Sequence, residues 1–541
     1  MNQATRILLV LGLCLGPWVG LGCGNDNGGP PSADGGAADG PGAAGGDGST
    51  DRSLAGSVLT LDELMDPTTC QACHPSQYAD WAGSVHASAG DDPVFTALNK
   101  QGQREANLQD FCLRCHAPIA RQLGLSTDGS NLASVAPKYK GVTCYFCHAV
   151  ADVQGTHSNP IVLASDGVMR GQSSDSMFTP AHASGYSPWI DRDRYDSAQM
   201  CGSCHDIKTG AGVIERVFYE WTQSVFSQAP TGATCSQCHM NQTDSLVAGA
   251  NVPGAPLRRL HNHGYPAVDV GTGAAPSPDT RKQQMQALLD STLQSTLCVR
   301  GQGASATIMV VLDNVASGHA WPSGSAMVRR GWAEVKAYAA GNVIYQSGVV
   351  PDGTPIASLK DPDLWIMRDC DLDDQNHEVP PWAATQYESS VLPAQLTFDR
   401  NDPRFYQSHV YATYPGAPAP SPGVDGGTSG SASLDGGGRD ASPVVAGLGG
   451  MPDKVQLRIR MEAMGLDFID GLIASGDLDP SIRAKIPVYS VGGDPTLVWT
   501  AATANELFLD EQGQPVSCVS HTNLKAQADK VPARRIQHCQ P

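Results

Sequence analysis

Five times the chain sets two cysteines three residues apart and follows the second directly with a histidine: Cys70, Cys73 and His74; Cys112, Cys115 and His116; Cys144, Cys147 and His148; Cys201, Cys204 and His205; and Cys235, Cys238 and His239. With 16 Cys and 15 His in 541 residues, chance supplies about 0.01 copies of that pattern. Close cysteine pairs serve zinc binding, thiol–disulfide exchange and covalent haem attachment. Only the last needs the fifth letter. Two thiols add to the porphyrin vinyl groups, and the adjoining imidazole is placed under the iron as an axial ligand. The motifs therefore predict five c-type haems (heme c, iron), with ten cysteines as attachment points and five histidines as metal ligands.

These residues need a scaffold. All five motifs fall between Cys70 and His239, and none follows. A haem-rich part is expected over 58–270 and a β-rich part over 298–541. A connecting helix over 271–297 is expected between them, because Met285, Leu288, Leu289 and Leu293 recur at helical spacing. In the β-rich part, 306–314, 331–340, 342–350 and 454–462 alternate or cluster apolar residues between Gly and Asn turns, as strands do. A short helix is expected over 464–479, and a disordered Gly/Ser/Pro/Asp loop near 416–450. The fold class read from this is mixed: a mainly helical, loop-rich multihaem cytochrome c domain followed by a β-sandwich-like C-terminal domain. The segment DWAGSVHAS (80–88) is echoed by EWTQSVFSQ (220–228). Both frames predict a helix packed on haem through Trp81 and Trp221, but His86 in the first is Phe226 in the second.

The N-terminus carries Arg6, an apolar run Ile7–Leu21 and then Cys23. That run suits a signal peptide over 1–22 better than a transmembrane helix. Leu21-Gly22-Cys23 resembles the lipobox of bacterial lipoproteins, which implies a lipid anchor on Cys23. Residues 23–57 are rich in Gly, Ala and Asp and read as a flexible linker. The expected location is extracytoplasmic, in the bacterial periplasm or at the cell surface, tethered to a membrane. A net charge of −19 argues against nucleic acid and leaves basic redox proteins as partners. Outside the motifs, the signal and Cys23, four cysteines remain: Cys298, Cys370, Cys518 and Cys539. In an oxidising compartment they suggest two disulfides, with three pairings open and Cys518–Cys539 favoured as the local one.

Low-spin irons need sixth ligands. The stretches CHPSQYADWAGSVHAS, GVTCYFCHAV, MCGSCHDI, EWTQSVFSQ…TCSQCHM, HNHGYPAVDV and VLDNVASGHAWPSG together cover most of 66–350. In their order the sequence resembles multihaem c-type cytochromes of the group that shares haem-packing motifs with hydroxylamine oxidoreductase and tetrathionate reductase. The resemblance implies His86, His263 and His319 as distal ligands, and His182 ahead of the fourth motif. His157, nine residues after His148, is the fifth candidate, and His261 competes with His263. His377, His409, His521 and His538 read as ordinary side chains. His319 as a ligand would make the β-rich part close one haem. The function expected is electron transfer through five haems, mostly bis-histidine. The alternative is a multihaem oxidoreductase acting on a small nitrogen or sulfur compound at one open haem. The second motif is the candidate there, since no partner lies near it in sequence. A third class is a binding module whose β-rich part recognises a surface partner.

Overall fold

The computed structural model describes residues 59–173, 181–210, 212–230, 232–269, 278–399, 401–416, 447–492, 496–504, 506–509 and 515–520. The expected signal peptide, Cys23 and the linker lie outside these residues, as do most of the 416–450 loop, His521, His538 and Cys539. No helix among the described residues is long and apolar enough to cross a membrane.

The N-terminal half is assembled from short pieces. Leu61–Met65, Pro67–Cys70, Pro75–Ala82, Val85–Ser88, Cys144–His148 and Cys235–His239 are helices of one or two turns. Only Pro93–Ala106 is longer, capped by Asp92 at its start and by left-handed Asn107 at its end. Helices this short do not persist on propensity alone. Their apolar residues gather into separate small clusters, one around Tyr145 and Phe146 and another around Leu113 and Ala120.

The C-terminal half is built differently. The helix Pro278–Thr292 runs directly into the strand Leu293–Gln302. The expected connecting helix is therefore shorter than 271–297, and strand begins inside its range. One antiparallel sheet has the order His409–Tyr414, Ser305–Asn314, Leu293–Gln302, Pro515–Ser520, Glu506–Leu509. A second has the order Asn342–Ser347, Arg330–Ala339, Lys454–Glu462, Val488–Val491, with Ile366–Met367 and Leu497–Thr500 attached. In Lys454–Glu462, Val455, Leu457, Ile459 and Met461 alternate inward. The turn between Arg330–Ala339 and Asn342–Ser347 places Ala340 and Gly341 at positive φ, as a two-residue type I′ hairpin demands. Leu297, Val299, Ile308, Val310 and Leu312 of one sheet share a core with Ala333, Val335, Val455, Leu457 and Ile459 of the other. Two sheets facing over one core is sandwich packing. Leu466–Ala474 is the short helix expected there.

Cys298 stands directly opposite Cys518 on paired strands and is disulfide-bonded to it. This corrects the expected Cys518–Cys539 pair. Sheet pairing brings together residues 220 apart in sequence, which local spacing does not reveal. Cys370 also takes part in a disulfide.

The halves are tied together. Val94 and Ala97 of the long helix pack against Ile469 and Leu472. The Val213 amide donates to Asp371, and the Thr209 hydroxyl donates to the Pro381 carbonyl. Buried Arg329 grips Asp269.

Candidate haem-binding site

Each motif folds as one helical turn. The amide of the motif histidine donates back to the first cysteine's carbonyl at 2.8 Å in the first motif, 3.1 Å in the second and 2.9 Å in the fourth. That spacing puts both cysteines and the histidine on one face. Thr143 and Thr234 cap the third and fifth motifs by accepting from the Phe146 and Gln237 amides.

The echo noted in the sequence explains how two of these turns are held. The Trp81 indole N–H donates to the Val142 carbonyl, and the Trp221 indole donates to the Ala233 carbonyl. Val142 and Ala233 each precede the threonine that caps a motif. Ser84 and Ser224 donate to their own tryptophan's carbonyl, closing the same bend in both copies. Each tryptophan is thus a brace for one motif.

All ten motif cysteines and all five motif histidines line a single continuous cavity of about 1730 Å³. That exceeds the usual room for one small-molecule ligand, about 300–1,000 Å³. His86, His182, His263 and His319 line it too, as do Trp81 and Trp221.

Four motif histidines each face one histidine from elsewhere. The ring centres are 6.4 Å apart for His74 and His182, 6.1 Å for His205 and His86, 6.5 Å for His148 and His263, and 6.4 Å for His239 and His319. Two metal–nitrogen bonds of about 2.0 Å, plus about 1.2 Å from each nitrogen to its ring centre, span about 6.4 Å. The four gaps therefore fit one iron each. Phe95 and His116 show what simple stacking looks like in this molecule, at 4.0 Å and 5°.

The other ring nitrogens are occupied. Nδ1 donates to a backbone carbonyl in His116 (Ala89, 3.1 Å), His182 (Ala183, 3.1 Å), His239 (Pro266, 3.0 Å), His263 (His261, 2.8 Å) and His319 (Ala320, 2.8 Å), and likewise in His148 (Arg170). This fixes the tautomer and leaves Nε2 to face the cavity. Burial holds His148 and His319 at about 4 and His86 at about 3. All three stay neutral at pH 7, as iron ligands must.

His319 is set by a polar seat. The Ala320 amide and the Ser323 hydroxyl donate to Glu220, at 3.2 and 2.6 Å. His157 lies elsewhere. Its Nδ1 donates to the Asp206 carbonyl, its backbone is left-handed, and it is absent from the cavity lining. His261 is held by Gln242 at 3.0 Å. The ring facing His116 is Phe95.

Sequence reading missed three residues. Phe95 lies on His116, and the Tyr265 ring meets His86 and His263 edge to face, with ring centres 4.5 and 6.2 Å apart. Glu215 accepts from His205 Nδ1 at 2.7 Å. Tyr265 lies within the quoted stretch HNHGYPAVDV, whereas neither Phe95 nor Glu215 sits at a spacing that local pattern could flag.

Nine motif cysteines carry free thiols. Motif sulfurs also meet across motif boundaries: Cys70 with Cys144, Cys201 with Cys235, and Cys204 with Cys115.

Residues 69–149, which hold three of the motifs, match the family model of cytochrome c554 and c-prime. The crystal structure of a penta-heme cytochrome c552 from Thermochromatium tepidum is similar to this chain at 17% identity and a TM-score of 0.49, over 80% of this chain and 99% of that one. No curated protein matches. Over residues 69–149 the chain is similar to that cytochrome family, and two further motifs of the same form lie beyond the match.

Proposed function

We propose that this protein is an electron carrier with five covalently held haems, working outside the cytoplasm and tethered to a membrane through a lipid on Cys23. The observation that carries this reading is the set of four iron-wide histidine pairs in a cavity lined by all five motifs. Haem supplies one-electron chemistry when bound. The chain does the rest. Ten cysteine sulfurs would tether haem, and the motif histidines with His86, His182, His263 and His319 would supply nitrogen ligands. With a nitrogen from each member of a pair, the ligand set would be the same before and after an electron passes, so little of the chain would have to move. Basic redox proteins suit the charge of −19 as partners.

The second motif supports a second reading. Phe95, not a histidine, faces His116. An iron held there by His116 alone would keep a coordination position for a small ligand, which is what a multihaem oxidoreductase needs. The deciding experiment is EPR spectroscopy of the fully oxidised protein with haem counted by mass. Four low-spin irons and one high-spin iron are expected. Five low-spin irons would close the second site and leave a carrier alone. Several high-spin irons would overturn the bis-histidine reading.

A further inference from the structure

His205 stands apart from the other motif histidines. His116, His148 and His239 donate from Nδ1 to backbone carbonyls, and His74 meets the backbone of Gly249. His205 donates to the Glu215 carboxylate, at 2.7 Å. The local fold makes this contact. Strand Ile207–Thr209 pairs antiparallel with Gly212–Glu215, and the register sets Glu215 opposite Ile207, beside His205. The Glu215 side chain is 18% exposed and that of His205 44%.

The position matters as much as the bond. The fourth motif is the junction of the cavity. Its Cys204 meets Cys115 of the second motif, its Cys201 meets Cys235 of the fifth, and Cys147 of the third lies beside Cys201. A carboxylate pulling on the far proton of an imidazole makes the other nitrogen a stronger donor. Stronger axial donation favours the oxidised iron, and second-shell hydrogen bonding is one of the levers that set haem potentials.

We propose that Glu215 is a positioning residue that makes the haem on Cys201 and Cys204 the lowest in potential of the set, so that the junction passes electrons without storing them. The proposal rests on the haem reading above. In it one electron arrives from a neighbouring haem and the same electron leaves to another, while the Nδ1 proton stays between His205 and Glu215 throughout.

The test is a spectroelectrochemical titration of the full haem-loaded protein as wild type, E215Q and E215D. The haem content of the peptide carrying Cys201 and Cys204 is measured in each by mass spectrometry. In E215Q one component, the lowest, is expected to move upward by at least tenfold in its reduced-to-oxidised ratio, about 59 mV for one electron. E215D keeps the charge and is expected to stay nearer the wild type. Components that all stay put, or all move alike, with haem present on that peptide, would overturn the role of Glu215 and leave the carrier reading standing. Absence of haem from that peptide in the wild type would overturn both. Should E215Q fail to fold, EPR during reduction of the native protein decides. The last low-spin signal to vanish must show the narrowed g anisotropy of an imidazolate-like ligand, and an ordinary imidazole signal there sinks the proposal.

Discussion

The two halves of this molecule are stable for opposite reasons. The C-terminal half buries long alternating strands from two sheets in one core. The N-terminal half spreads one- and two-turn helices around a cavity of about 1730 Å³ and owns only small, separate clusters. One half is held by its own side chains, the other by what its cysteines and histidines grip. The lesson is that burial need not come from the chain when a prosthetic group fills the middle.

The sharpest way to break that comparison is to deny the N-terminal half its contents. With all ten motif cysteines replaced by serine, helical circular dichroism should fall while the β signal persists. Under limited proteolysis, fragments from 293 onward should outlast those from 59–269. Equal resistance of both halves would refute the contrast. A smaller intervention is His319→Ala. It should convert one low-spin iron to high-spin by EPR and leave the β signal intact, because His319 reaches out of the sandwich to face His239. Smaller again is loss of the Cys298–Cys518 bond. The double serine variant should lose about 2–4 kcal/mol in denaturant unfolding of the C-terminal half, with the haem spectrum unmoved.

The smallest expected effect is a pH dependence. Burial raises Glu462 from 4.5 to about 7. Between those values the native chain holds a proton that the unfolded chain has released, so stability falls as pH rises through that window. E462Q should flatten the slope of melting temperature against pH from about 5 to 7, and an unchanged slope would show that Glu462 is not its source.

How much of this was legible in the sequence depended on how far apart the partners sit. A motif closes within one helical turn, so its five letters declared the chemistry. The strand Lys454–Glu462 alternates without a break and was readable. Leu293–Gln302 was not: its inward positions include the polar Ser295, which blurs the alternation and let the preceding helical pattern run on. The histidine pairings, the partner of Cys518 and the contact of Glu215 all depend on which strands and loops meet, and no local spacing carries that. Four of the five candidate distal histidines, His86, His182, His263 and His319, were brought opposite motif histidines, while His157 was placed against Asp206.

The four facing pairs also interleave along the chain. His74 waits for His182, His86 for His205, His148 for His263 and His239 for His319, and each wait begins before the previous one ends. A chain threaded N-terminus first through a translocation pore would present the second members in that same order. Maturation would then proceed like a zip, each closure drawing in the stretch that starts the next. The final tooth, His319, follows the strands Leu293–Gln302 and Ser305–Asn314, so the last pair could not close until the opposite half of the protein had begun to emerge.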